Sequence, residues 1–164
     1  MIPPLIRFGL PLLLIWIWSM RQGGAPERVG ASTLLAAEIA SYLAAFVGNR
    51  RFLAPDMTTT IIDAALIVAL GVLALRANRL WPTFLLATHM ITVLSHFDIV
   101  VNRHLRPLGY AVMQIAPAYL GLAVLGAGIW RYHHRTIQNG AEPSWRRPSS
   151  SRSAANAPPP APIS

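Results

Sequence analysis

The apolar positions of this chain fall in long runs, not in stripes. Read between charged residues, they mark five segments, at 2–20, 29–48, 57–76, 80–101 and 108–130. A helix needs about 20 mostly apolar residues to cross a bilayer, and each run is close to that length. A helical bundle in water would break runs of this length with a polar stripe, and these runs show none. The pattern predicts an all-α polytopic membrane helix bundle of about five transmembrane helices. In the first segment only residues 8–20 are free of charge, and Arg7 is placed to snorkel to a headgroup. Pro3 and Pro4 sit in a tolerated first turn, whereas Pro11 and Pro117 predict kinks. Trp16, Trp18 and Trp81 fall near segment ends, where interface anchors sit. Gly23, Gly24 and Pro26 mark a loop over 21–28. No A-x-A-like site follows the first segment, so it is expected to stay as a helix and not be cleaved as a signal peptide.

After residue 135 the character changes. Residues 136–164 are rich in Pro, Ser and Ala and carry Arg146, Arg147 and Arg152. Such a stretch has too little apolar surface to order itself. The chain is thus expected to divide into a transmembrane helical domain at 1–135 and a disordered tail at 136–164.

Composition supports the membrane reading. Hydrophobic residues make up 54% of the 164 positions and charged residues 12%, against about 25% charged in an ordinary soluble domain. Mean hydropathy is +0.45. Cysteine is absent, which excludes disulfides, thiolate metal sites and a Cys nucleophile. All 14 basic residues are arginine and the net charge is +8. In a soluble protein that balance would point to nucleic acid. Here the arginines lie between apolar runs and in the tail, so lipid headgroups are the expected partner and nucleic acid is not.

Five spans put the termini on opposite sides. Nine arginines (21, 28, 76, 79, 131, 135, 146, 147, 152) share the side of the tail, against five (7, 50, 51, 103, 106) on the other. The positive-inside rule then favours a cytoplasmic C-terminus. Without the three distant tail arginines the balance is six against five, a margin at which dual topology stays open.

Between helices in lipid, close approach depends on small residues. Ala36, Ala40, Ala44 and Gly48 recur at strict four-residue spacing, with Ala37, Ser41 and Ala45 beside them. The fifth segment is also rich in small residues: Ala118, Gly121, Ala123, Gly126, Ala127 and Gly128. These ridges serve packing within the chain or a dimerisation face.

Ionisable groups at the bilayer centre cost roughly 2.5–3.5 kcal/mol on insertion scales, so each is a functional candidate. The candidates are Glu38 in the second segment, Asp63 in the third, and His89 and His96 in the fourth. His89, Thr92 and His96 share one helix face. Tyr110 and Gln114 form a further polar pair, four residues apart, before Pro117. A structural, hydrogen-bonded cluster and a proton or ion path both fit these residues. His89 and His96 lie about 10.5 Å apart along the helix axis, too far to share one metal ion. A bis-His haem would need a second copy of the chain. No cofactor or metal is therefore expected. No Ser elbow, HExxH helix or glycine-rich phosphate loop is present, so no enzymatic activity is expected.

The stretches GGAPER at 23–28, IIDAALIVALGVLALRANRLWP at 61–82 and ITVLSH at 91–96 resemble small multi-spanning inner-membrane proteins of alphaproteobacterial type. The likeness covers the chain up to about residue 135. That group has no assigned activity, so the resemblance implies a bacterial inner membrane and carries over no functional residue. Two functions are expected from the whole reading. The first is an accessory or structural protein acting by helix–helix contacts with a second copy or a larger membrane complex. The alternative is a small transporter or proton- or ion-conducting protein using the intramembrane histidines and acids.

Overall fold

A computed structural model describes residues 8–47, 57–101, 107–140 and 144–145, with side chains at 8–46, 58–94, 115–140 and 144–145. Among the described residues the chain is all-α, with five helices and no strand beyond one isolated bridge. The helices are α1 (Leu10–Gln22), α2 (Ala25–Val47), α3 (Met57–Arg76), α4 (Trp81–Val101) and α5 (Pro107–Asn139). Each packs on its neighbours in chain order, and α5 closes the ring against α1 and also touches α2.

The connections follow from local chemistry. The loop expected at 21–28 is only Gly23–Gly24. The Gly23 N–H closes α1 on the Ser19 carbonyl at 2.8 Å, and the Arg28 N–H opens α2 on the Gly24 carbonyl at 3.0 Å. Pro26 does not extend the loop. It sits in the first turn of α2, where its missing N–H costs nothing. Close approach explains the glycines: a Cβ at Gly23 would lie 2.6 Å from the Ser19 carbonyl oxygen. The α3–α4 connection is Ala77–Leu80, with the Ala77 N–H bonded to the Leu73 carbonyl at 2.8 Å. The fifth helix passes the expected end at 130 and the expected domain boundary at 135, and runs to Asn139. It stops at Gly140, whose φ of +79° is the left-handed conformation that glycine adopts freely. Beyond it, Ser144 and Trp145 return to the α3–α4 connection. The Asn78 N–H donates to the Ser144 carbonyl at 3.3 Å, and Ala77 bridges Trp145 in antiparallel fashion. The rest of the tail lies outside the described residues.

The core is helical in period. Leu66, Leu70 and Leu73 of α3 and Leu122, Leu125 and Ile129 of α5 point inward, with Ala31 of α2 and Trp81 and Leu85 of α4. The opposite faces are apolar too. On α3, Ile61, Val68, Val72 and Leu75 are exposed. Among the described residues two helices are long and apolar enough to cross a membrane, Ala25–Phe46 and Thr58–Arg76, and only 11% and 17% of their most apolar stretches are buried. The core helix of a soluble protein would be mostly buried, whereas a helix apolar all round with its outer face bare matches a lipid-facing one.

Candidate functional site

Two polar sites lie inside the bundle. The first gathers around a cavity of about 190 Å³. Glu38 and Ser41 reach it from α2, Asp63 from α3, Thr88, His89 and Thr92 from α4, and Pro117 from α5. His89 Nε2 lies 3.7 Å from Asp63 Oδ1, with both side chains about 15% exposed. The buried Thr88 donates its hydroxyl to its own helix, at the Leu85 carbonyl, 2.8 Å away. A Cβ at Gly121 would lie 3.1 Å from Leu85 and 3.3 Å from the Thr88 hydroxyl, so this glycine lets α5 close onto α4 at the cavity wall. Phe8 also lines the cavity, its ring edge-on to Tyr119 at 5.9 Å. A liquid water occupies about 30 Å³, so the space suits a few waters or one small solute.

The sequence-derived candidates thus come together in part. Glu38, Asp63 and His89 share the cavity, and Thr92 continues the histidine face. The side chains of His96, Tyr110 and Gln114, and all of Gly48, lie outside the described residues. Ala36 is exposed, and Ala40 and Ala44 are half-buried, so this ridge is not packed away within the chain. The inward face of α2 runs instead through Gly30, Ala31, Leu34 and Ala37. Of the α5 glycines, Gly121, Gly126 and Gly128 pack against other helices. Gly121 and Gly128 meet α4, and a Cβ at Gly126 would lie 3.7 Å from Trp18 of α1. Among the described residues no three His, Cys, Asp or Glu side chains gather as a metal ion needs.

The second site was not anticipated. Glu27, in the first turn of α2, is fully buried. Its Oε1 accepts a hydrogen bond from Trp81 Nε1 at 2.9 Å. Arg79 Nε lies 3.3 Å from the same oxygen, an ion pair by distance but off the hydrogen-bond line. The Arg79 guanidinium stacks over the Tyr132 ring of α5 at 4.5 Å. Among the described residues, Ser19 Oγ, Glu27 Oε2 and Arg79 Nη2 are buried there with no hydrogen-bond partner. Trp81, at the start of α4, is packed inside this end of the bundle and only 9% exposed. Its indole lies between two glycines: a Cβ would come within 2.7 Å of it at Gly30 and 2.8 Å at Gly128. This site ties α2, the α3–α4 connection and α5 together at one end of the bundle. A sequence signal existed. GGAPER carries two adjacent glycines, then proline and glutamate in a first helical turn, where an acid also complements the helix dipole.

No protein-family model, curated protein or solved structure matches the chain.

Proposed function

We propose that the chain is a multi-pass inner-membrane protein whose cavity handles a proton or a small cation, as in a small transporter or conducting protein. One observation carries the reading: three successive helices each send an ionisable side chain, Glu38, Asp63 and His89, to one cavity of a bundle whose outer faces are apolar. Such groups are expensive in a bilayer and usually mark ion or proton routes. Two carboxyl groups against one imidazole leave a shortage of positive charge that a proton or cation makes up. All five helices cross the bilayer in this reading, with the C-terminus in the cytoplasm.

The test is proton uptake by vesicles holding the purified chain, driven by a pH step and followed with an entrapped dye. Glu38→Gln and Asp63→Asn are expected to bring uptake to the level of empty vesicles while the helical content is kept. Uptake that both variants leave unchanged would reject the conducting role. A second reading, an accessory protein working by helix contact, is favoured by the small-residue ridge of exposed Ala36 and half-buried Ala40 and Ala44. A chain that stays monomeric and partnerless in mild detergent counts against it.

A further inference from the structure

The Glu27 end of the bundle carries a second feature. Arg21 at the end of α1, Arg28 at the start of α2, Arg76 at the end of α3 and Arg131 on α5 are all exposed there. The acid described at this end, Glu27, is buried against Arg79 and does not offset them. Arg28 donates its Nε to the Gly23 carbonyl at 3.1 Å, which fixes its stem while the residue stays exposed. The arginines thus form a collar around this end of the bundle, three of them near helix termini and Arg131 within α5, ahead of its end at Asn139.

Beside the collar lie exposed apolar side chains. Leu75, 74% exposed, precedes Arg76, and Trp130, 61% exposed, precedes Arg131. Val29 follows Arg28 and is exposed as well, and Leu80 stands open in the α3–α4 connection. Trp145, bridged to Ala77, adds a half-exposed indole at the α3–α4 connection. Cation and bare apolar surface therefore alternate around this end. A soluble polyanion needs only the cations, whereas a lipid needs a cation for its phosphate and an apolar wall for its chains.

We propose that this collar binds anionic phospholipids, their headgroups on Arg21, Arg28, Arg76 and Arg131 and their acyl chains against Leu75, Leu80 and Trp130. The collar rests on the membrane reading of the chain but not on the cavity, so the two can fail separately. A cation near a membrane surface contributes about 1 kcal/mol toward anionic lipid, so each Arg→Gln change weakens binding about five-fold.

The test uses the full-length chain in mild detergent with equal amounts of phosphatidylglycerol and phosphatidylcholine, scored by lipid retained in native mass spectrometry. Preferential retention of phosphatidylglycerol is expected. It should fall stepwise through Arg21→Gln, Arg28→Gln, Arg76→Gln and Arg131→Gln, and be unchanged in the cavity variant Glu38→Gln. A salt series on the thermal stabilisation of the unaltered chain by phosphatidylglycerol needs no variant to fold, and that stabilisation should shrink as salt rises. Equal retention of both lipids, or retention untouched by the arginine changes and by salt, overturns the proposal. Displacement of phosphatidylglycerol by inorganic phosphate also overturns it, because the site would then be one for soluble phosphate.

Discussion

At the scale of single residues, the buried pair Glu27–Arg79 carries the clearest energetic consequence. Its members come from segments 52 positions apart and share one oxygen with Trp81. Removing one partner of a buried pair strands the other charge, at a cost of about 3–5 kcal/mol. Glu27→Ala and Arg79→Ala are each expected to destabilise by that amount in unfolding titrations with mixed micelles. Replacing both with Met should cost less than the sum of the single changes, because no charge is then left alone. Trp81 supplies a second test. A methyl at Gly30 or Gly128 would sit inside contact distance of its indole, and overpacking of this kind costs about 1–3 kcal/mol. Gly71 faces open space on α3, so Gly71→Ala should be neutral or stabilise by up to about 1 kcal/mol. The contrast among three helical glycines separates packing from helix propensity, and near-ultraviolet circular dichroism would report movement of the indole.

At the scale of elements, the helices most legible in the sequence are those bounded by charge. The third segment, read at 57–76, is Met57–Arg76, and the fourth, read at 80–101, is Trp81–Val101. Hydropathy fails at the ends where a helix continues as a polar one. The expected end at 130 reflects Arg131, Tyr132, His133, His134 and Arg135, yet backbone hydrogen bonding does not need apolar side chains, and α5 goes on to Asn139. The cavity residues Glu38, Asp63 and His89 stood out because a charge inside an apolar run is conspicuous. Glu27 and Arg79 did not, because both lie next to turns, where a charge reads as solvated, and their pairing is not local. Facing within an element was also hard to read: on the small-residue ridge of α2 Ala36 is exposed and Ala40 and Ala44 are half-buried, whereas Ala37 beside it packs on the core. Ala36→Leu should therefore leave the monomer's stability unchanged. If the ridge joins copies or a partner, Ala36→Leu would instead break the complex, seen as a shift to a smaller species in size-exclusion chromatography.

At the scale of the whole molecule, the ring of helices makes a specific claim about sides. The α1–α2 turn, the α3–α4 connection and the C-terminal part of α5 meet at one end, held by Glu27, Arg79, Tyr132 and the Ala77–Trp145 bridge. The start of α3 lies about 30 Å away along its own axis, close to the thickness of a bilayer's hydrocarbon. The chain has no cysteine, so single cysteines can be introduced on a clean background. Cysteines at Asn78 and Gly140 are expected to react with a membrane-impermeant maleimide from the same side, and one at Thr58 from the other. With the arginine collar inward, intact cells should label Thr58→Cys and spare the other two until the membrane is opened. Labelling of Asn78→Cys and Thr58→Cys together in intact cells would mean that α3 does not cross. Half-labelling at all three positions would instead mean that copies insert both ways, as the near balance of arginines outside the tail permits.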